Sequence, residues 1–185
     1  MAFGPTVKVI YLRFWLLFAG VLLLDLASKA WVVENSVELR RNPIEALDLI
    51  EGDHAFLEFT YVTNPGAAWS MFSDFPEVLT VLAGIALLAI YAFRRNLELE
   101  RKPIQIIFGL ICGGIVGNLS DRIFRDPAEV VDFIDVYLPL VNYDYPIFNI
   151  ADSGIFLGAF AYLLMSFFES RKEKDKKGEN EPVGT

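Results

Sequence analysis

Three acidic residues stand in company that ought to exclude them. Asp121 falls in GGIVGNLSDR, Asp132 in VVDFIDV and Asp152 in FNIADSG, all inside or beside apolar runs between Gly113 and Gly158. An ionisable side chain in hydrocarbon is disfavoured by at least ~2.5 kcal/mol even on mild insertion scales, so these carboxylates point to function. Asp132 is flanked by Val130, Val131, Phe133 and Ile134 with no adjacent base, a setting in which desolvation raises a carboxyl pKa. Two carboxylates brought together cannot both ionise cheaply, so one keeps a proton near neutral pH. Such a pair can hydrolyse a peptide bond. The ionised member takes a proton from the attacking water while the protonated member polarises the carbonyl. Asp132 and Asp152 are the candidates, and the mechanism calls for no metal and no cofactor.

Other chemistries compete for the same residues. A metal site would take Asp132 and Asp135, spaced as DFID, with Asp121 and Asp152 as oxygen ligands for magnesium. A Ser28/Lys29 dyad is disfavoured because neighbouring residues point to different faces of a helix. Membrane-depth acids also suit a proton-coupled or ion-coupled transporter, although here they cluster at one end rather than forming a relay. Cys112 is the only cysteine and reads as a small packing residue; His54, the only histidine, reads as a solvated loop residue. Asp121 and Arg122 suggest a structural ion pair. Asp25 and Lys29, four apart with the acid first, suit one helix face, either as a paired charge near the membrane exit or as part of the site. Asn149 and Asp152 share a face by their three-residue spacing, as do Asn118 and Asp121.

Helices must position these groups. With 54% hydrophobic residues and a mean hydropathy of +0.41, the chain is expected to be an all-α integral membrane protein with four transmembrane helices and a small extracytoplasmic β element. The spans are predicted near Val9–Ala30, Phe75–Phe93, Pro103–Ser120 and Ile147–Phe168. The first run carries Asp25 and lacks a persuasive cleavage site, so it reads as a retained helix rather than a signal peptide. Gly109, Gly113 and Gly117 recur at four-residue spacing, which smooths a face for close helix packing.

Two outer loops, residues 32–74 and 121–146, separate the spans. The first holds seven acidic residues from Val32 to Thr63, against Arg40 and Arg41. Period-two alternation predicts a strand around Leu57–Val62 and another over Val130–Tyr137, with a short amphipathic turn at Pro43–Ile50. Residues 1–168 form a single membrane domain in this scheme, and the charged tail 169–185 is expected to be disordered. Arg94, Arg95, Arg101 and Lys102, with Arg171, Lys172, Lys174, Lys176 and Lys177, place the basic segments in the cytoplasm, so both termini are expected inside and the acids at the outer face. The net charge of −8 gives no reason to expect a nucleic-acid partner.

LDLASK, NPGAAWSMF, GNLSDR, VVDF and FNIAD, in this order over nearly the whole chain, resemble the motifs of the bacterial type II, or lipoprotein, signal peptidases. These are aspartic peptidases of the inner membrane. The resemblance implies that Asp132 and Asp152 are the catalytic pair, that Asn64 and Gly66 contact substrate or hold its backbone, and that Asn149 orients Asp152. It also implies that Asn118, Asp121 and Arg122 support the site and that Asp25 and Lys29 match the family's first-helix pair. The implied substrate is a prolipoprotein cut just before a diacylglyceryl-modified cysteine, with Gly66 to Ala68 making room for the lipid; the implied inhibitor is globomycin. A monomer in contact with membrane lipid is expected.

Overall fold

The computed structural model describes residues 11–48, 55–66 and 71–179, with side chains to residue 172. His54, Ala67 and Ala68 lie outside the described residues. Five helices and four strands follow in the order α1 (Leu12–Glu34), α2 (Ser36–Arg41), β1 (Ile44–Leu47), β2 (Leu57–Asn64), α3 (Pro76–Ala92), α4 (Lys102–Phe124), β3 (Val130–Leu138), β4 (Tyr143–Phe148) and α5 (Ile150–Glu179). Three helices, α1, α4 and α5, are long and apolar enough to cross a membrane; α3 is apolar but shorter, with 17 residues. The protein is mostly helical but not all-α.

Helix α4 lies at the centre, with α1 and α5 against it, because glycines remove the side chains that would hold the backbones apart. A Cβ on Gly113 would stand 2.8 Å from the Phe18 carbonyl oxygen of α1, and one on Gly158 would stand 2.9 Å from the Ile107 carbonyl oxygen. The predicted glycine face is therefore used, and Gly114 extends it toward α5, where an added Cβ would meet Ala151. Helix α1 is patterned inside out. Val21, Asp25, Lys29 and Val32 are its buried residues, recurring at spacings that share one face, while Leu16, Leu23 and Leu24 are more than 60% exposed on the surface available to lipid. The polar stripe of the helix thus faces the bundle rather than the hydrocarbon.

One antiparallel sheet in the order β1-β2-β3-β4 closes one end of the bundle. Both predicted strands form, as β2 and β3. The edge strands were not anticipated: Ile44–Leu47 is a strand instead of the expected amphipathic turn, and β4 contains Pro146, which an edge strand tolerates because it lacks a neighbour on one side. Val32 of α1, Leu39 of α2, and Val131 and Phe133 of β3 form a buried cluster that pins the sheet to the helices. A second cluster, Leu99, Ile104, Ile107 and Phe108, fills the opposite end. There Arg101 pairs with Glu98 and with Glu169 of α5. Helix α5 continues from Glu169 to Glu179, through the start of the tail that composition predicts to be disordered.

Candidate active site

Asp132 reaches the site from the middle of the sheet. In the β2/β3 register Val62 faces Asp132 and Asn64 faces Val130; since side chains opposite each other share a face, Asn64, Val130 and Asp132 point to the same side. Asp152 arrives from the first turn of α5. Its position is fixed by a reciprocal cap: the Asp152 N–H donates to Asn149 Oδ1 at 2.9 Å, and Asp152 Oδ2 accepts from the Asn149 N–H at 3.3 Å. This is the capping-box arrangement, with Asn149 immediately before the helix and the acid three residues on.

The two carboxylates border one cavity of about 170 Å³, together with Asn64, Gly66, Asn118 and Arg122. Amides hold both acids. Asn149 Nδ2 donates to Asp132 Oδ1 at 2.7 Å, Asn64 Nδ2 to Asp132 Oδ2 at 3.1 Å, and Asn118 Nδ2 to Asp152 Oδ1 at 2.7 Å. Asn149 also donates to Asn118 Oδ1 at 3.1 Å, so the two amides lock one another's orientation. Burial, reinforced by the charge of Asp152, pushes the Asp132 carboxyl up to about 7 against the opposing pull of the Asn64 and Asn149 hydrogen bonds. Two acids at one small cavity, one of them protonated near neutral pH, make a proton donor and a proton acceptor for the same bound group.

Behind the acids runs a chain of buried charges. Lys29, fully buried, lies 2.8 Å from Asp25 Oδ2 and 2.8 Å from Asp121 Oδ2, and donates to Asn118 Oδ1 at 2.9 Å. Its ammonium and the Asn149 amide both claim the Asn118 oxygen, which leaves the Asn118 amide nitrogen to face Asp152. Asp25 accepts from the Ala151 N–H at 2.9 Å and so satisfies a first-turn donor of α5. The Asp25–Lys29 pair forms as its spacing predicts and is fully buried in the bundle behind the two acids.

The predicted Asp121–Arg122 ion pair is replaced by another arrangement. Asp121 pairs with Lys29 and, through Oδ1, with Arg125 Nε at 2.6 Å, while also accepting from the Val131 N–H at 3.3 Å. Arg122 turns instead to the cavity, donating to the Gly66 carbonyl at 2.8 Å and tethering the segment after β2. Arg125 went unnoticed in the sequence although its four-residue distance from Asp121 was the signal. Tyr145 to Phe148 of β4, which complete the cavity wall, had no such signal.

The helical bundle and the sheet that caps it each bring one acid to a small cleft, and solved structures with this fold are membrane enzymes. A chain titled bacterial membrane enzyme, solved at 2.3 Å, superposes with a TM-score of 0.67 at 25% identity, covering 93% of each chain. Another of that title, solved at 1.9 Å, gives 0.63 at 29% identity over 82% of this chain and 90% of its own. Among proteins of known name, the lipoprotein signal peptidase of Shewanella sp. (strain MR-4) is 36% identical, covering 91% of this chain and 94% of its own. That of Syntrophomonas wolfei is 34% identical, covering 88% and 98%. The family model described as signal peptidase (SPase) II matches residues 17–168. The chain belongs to the signal peptidase II family, and as such is a peptidase.

Proposed function

We propose that the protein is an aspartic endopeptidase that removes signal peptides from prolipoproteins, with Asp132 and Asp152 as its catalytic pair. The observation that carries this is the convergence of both acids on one cavity, each held by side-chain amides. Asp152 serves in this reading as the ionised member of the pair and takes a proton from water as the oxygen attacks the scissile carbonyl carbon. Asp132 gives its proton to the carbonyl oxygen. Collapse of the tetrahedral intermediate breaks the C–N bond, the amine leaves with the proton Asp152 had taken, and the oxygen's proton returns to Asp132. Asn64, Asn118 and Asn149 keep the carboxylates aimed, and Arg122 with Gly66 forms the rim over which the substrate backbone lies.

A lipid-modified substrate suits the surroundings. An apolar cavity of about 470 Å³ shares Tyr145, Phe148 and Asp152 with the polar one, so an apolar chain beside the scissile bond has somewhere to go. A diacylglyceryl cysteine fixes the depth of that bond and turns the encounter into a nearly two-dimensional search. Globomycin is the matching inhibitor. In this reading α3 is the fourth span. Its 17 residues rise about 25 Å at 1.5 Å each, and none of them is buried, as expected of a helix lying against lipid. Both termini are then cytoplasmic, the sheet lies outside the inner membrane, and one copy suffices. The test is cleavage of a diacylglyceryl prolipoprotein by Asp132→Asn and Asp152→Asn proteins, each expected to lose roughly 10²–10⁴-fold in rate; near-normal cleavage by either removes that residue from catalysis.

A further inference from the structure

The sheet has a second face. Thr63 is paired with Val131 in the register next to Val62 and Asp132, so Thr63, Val131 and, two residues back, Tyr61 point away from the acids. They line a separate cavity of about 460 Å³, closed by α2 and by the segment that follows α4. That size lies within the range of about 300–1,000 Å³ common for small-ligand sites.

Its walls carry both signs of charge. Arg40 sits 4.6 Å above the Tyr61 ring, and its guanidinium forms no ion pair among the described residues. Arg125, with 29% of its side chain exposed, spends its Nε on Asp121, leaving other donors of the fork for a ligand. Asp126 and Glu129 line the same cavity, again with no ion pair among the described residues. Two guanidinium groups suit a phosphodiester, and two carboxylates suit a primary ammonium. The apolar edge indicates where such a ligand comes from. Val33 in the last turn of α1 and Phe124 at the end of α4 complete the lining, and Phe124 and Ile123 are 83% and 54% exposed, an aromatic and an aliphatic group at the level where two spanning helices end.

We infer that this cavity binds the headgroup of a zwitterionic bilayer lipid that joins a phosphodiester to a primary amine, as in phosphatidylethanolamine. The phosphate lies between Arg40 and Arg125, the ammonium faces Asp126 and Glu129, and the acyl chains descend past Phe124. The site is independent of the peptidase reading.

The test uses the full-length protein in nanodiscs of equal parts phosphatidylethanolamine, phosphatidylcholine and phosphatidylglycerol, transferred to mild detergent, with co-purifying lipid quantified by mass spectrometry. Phosphatidylethanolamine is expected to be retained about ten-fold over the other two, the scale of one or two charge-assisted hydrogen bonds. Arg40→Ala and the near-isosteric Glu129→Gln are each expected to abolish that preference while melting as the unsubstituted protein does. Asp132→Asn, inactive by the proposed mechanism, is expected to keep it, which separates failure of this inference from failure of the proposed function. Equal retention of the three lipids, an unchanged preference in both cavity variants, or complete displacement of the lipid by inorganic phosphate would overturn the assignment.

Discussion

At the scale of single residues, the site depends on side chains that hold the acids rather than on the acids alone. Asp132 is buried in a strand, and its carboxyl is raised to about 7 by burial and then by Asp152. The sign is fixed by that shift. The singly protonated pair persists as pH rises to about 7 and is lost above it, so the rate of prolipoprotein cleavage is expected to fall along an alkaline limb centred near that value. Initial rates between pH 5 and 9 check this, and a rate that stays level through pH 9 contradicts it. The same shift affects folding. A carboxyl that binds its proton more tightly in the folded state contributes stability that is complete below its ordinary value of 3.8 and is lost as pH rises through about 7.

At the scale of elements, the close approach of α1, α4 and α5 rests on glycines whose absent side chains are part of the design. Gly113→Ala puts a methyl group 2.8 Å from a backbone oxygen of α1, and backbone cannot swing aside as a side chain can. Its expected cost is roughly 1–3 kcal/mol, read as a lowered melting temperature in detergent. Gly84→Ala in α3, with nothing within 4 Å of the new methyl, is the contrast and should melt no lower. Three of the spans, α1, α4 and α5, and the two central strands were legible in the sequence because hydropathy and period-two alternation are local signals, and the glycine repeat gave the packing face. The edge strands were not, since four residues of IEAL and a proline-bearing YDYPIF owe their extended state to β2 and β3 beside them. Likewise, Asp121, Asn118 and Asn149 could be singled out as polar groups in apolar company, but not which partner each would take. Adjacency along the chain suggested Arg122 for Asp121; folding supplied Lys29 from α1, 92 positions earlier in the sequence.

At the scale of the whole molecule, the arrangement of charge predicts orientation. On the proposed topology the exposed tip of the β3–β4 turn, where Leu140 is 99% accessible, lies outside the cell and the basic segment beyond Arg171 lies inside. In intact spheroplasts a membrane-impermeant maleimide is expected to label Leu140→Cys and to leave Lys174→Cys unlabelled until the membrane is opened. Cys112 is buried in α4 and should not interfere. Labelling of both positions in intact cells, or of Lys174→Cys alone, would reverse or break the proposed topology.

The amide at position 149 has two employers. Its oxygen fastens the beginning of α5 and its nitrogen steadies Asp132, so the residue is at once a rivet in the frame and a jig for the reagents. Serine or aspartate could replace the rivet but would offer no amide nitrogen, and a lysine could approach Asp132 yet leave the frame unfastened. On the proposed mechanism the position therefore admits little drift, because an exchange that spares the architecture would still leave Asp132 without its amide donor.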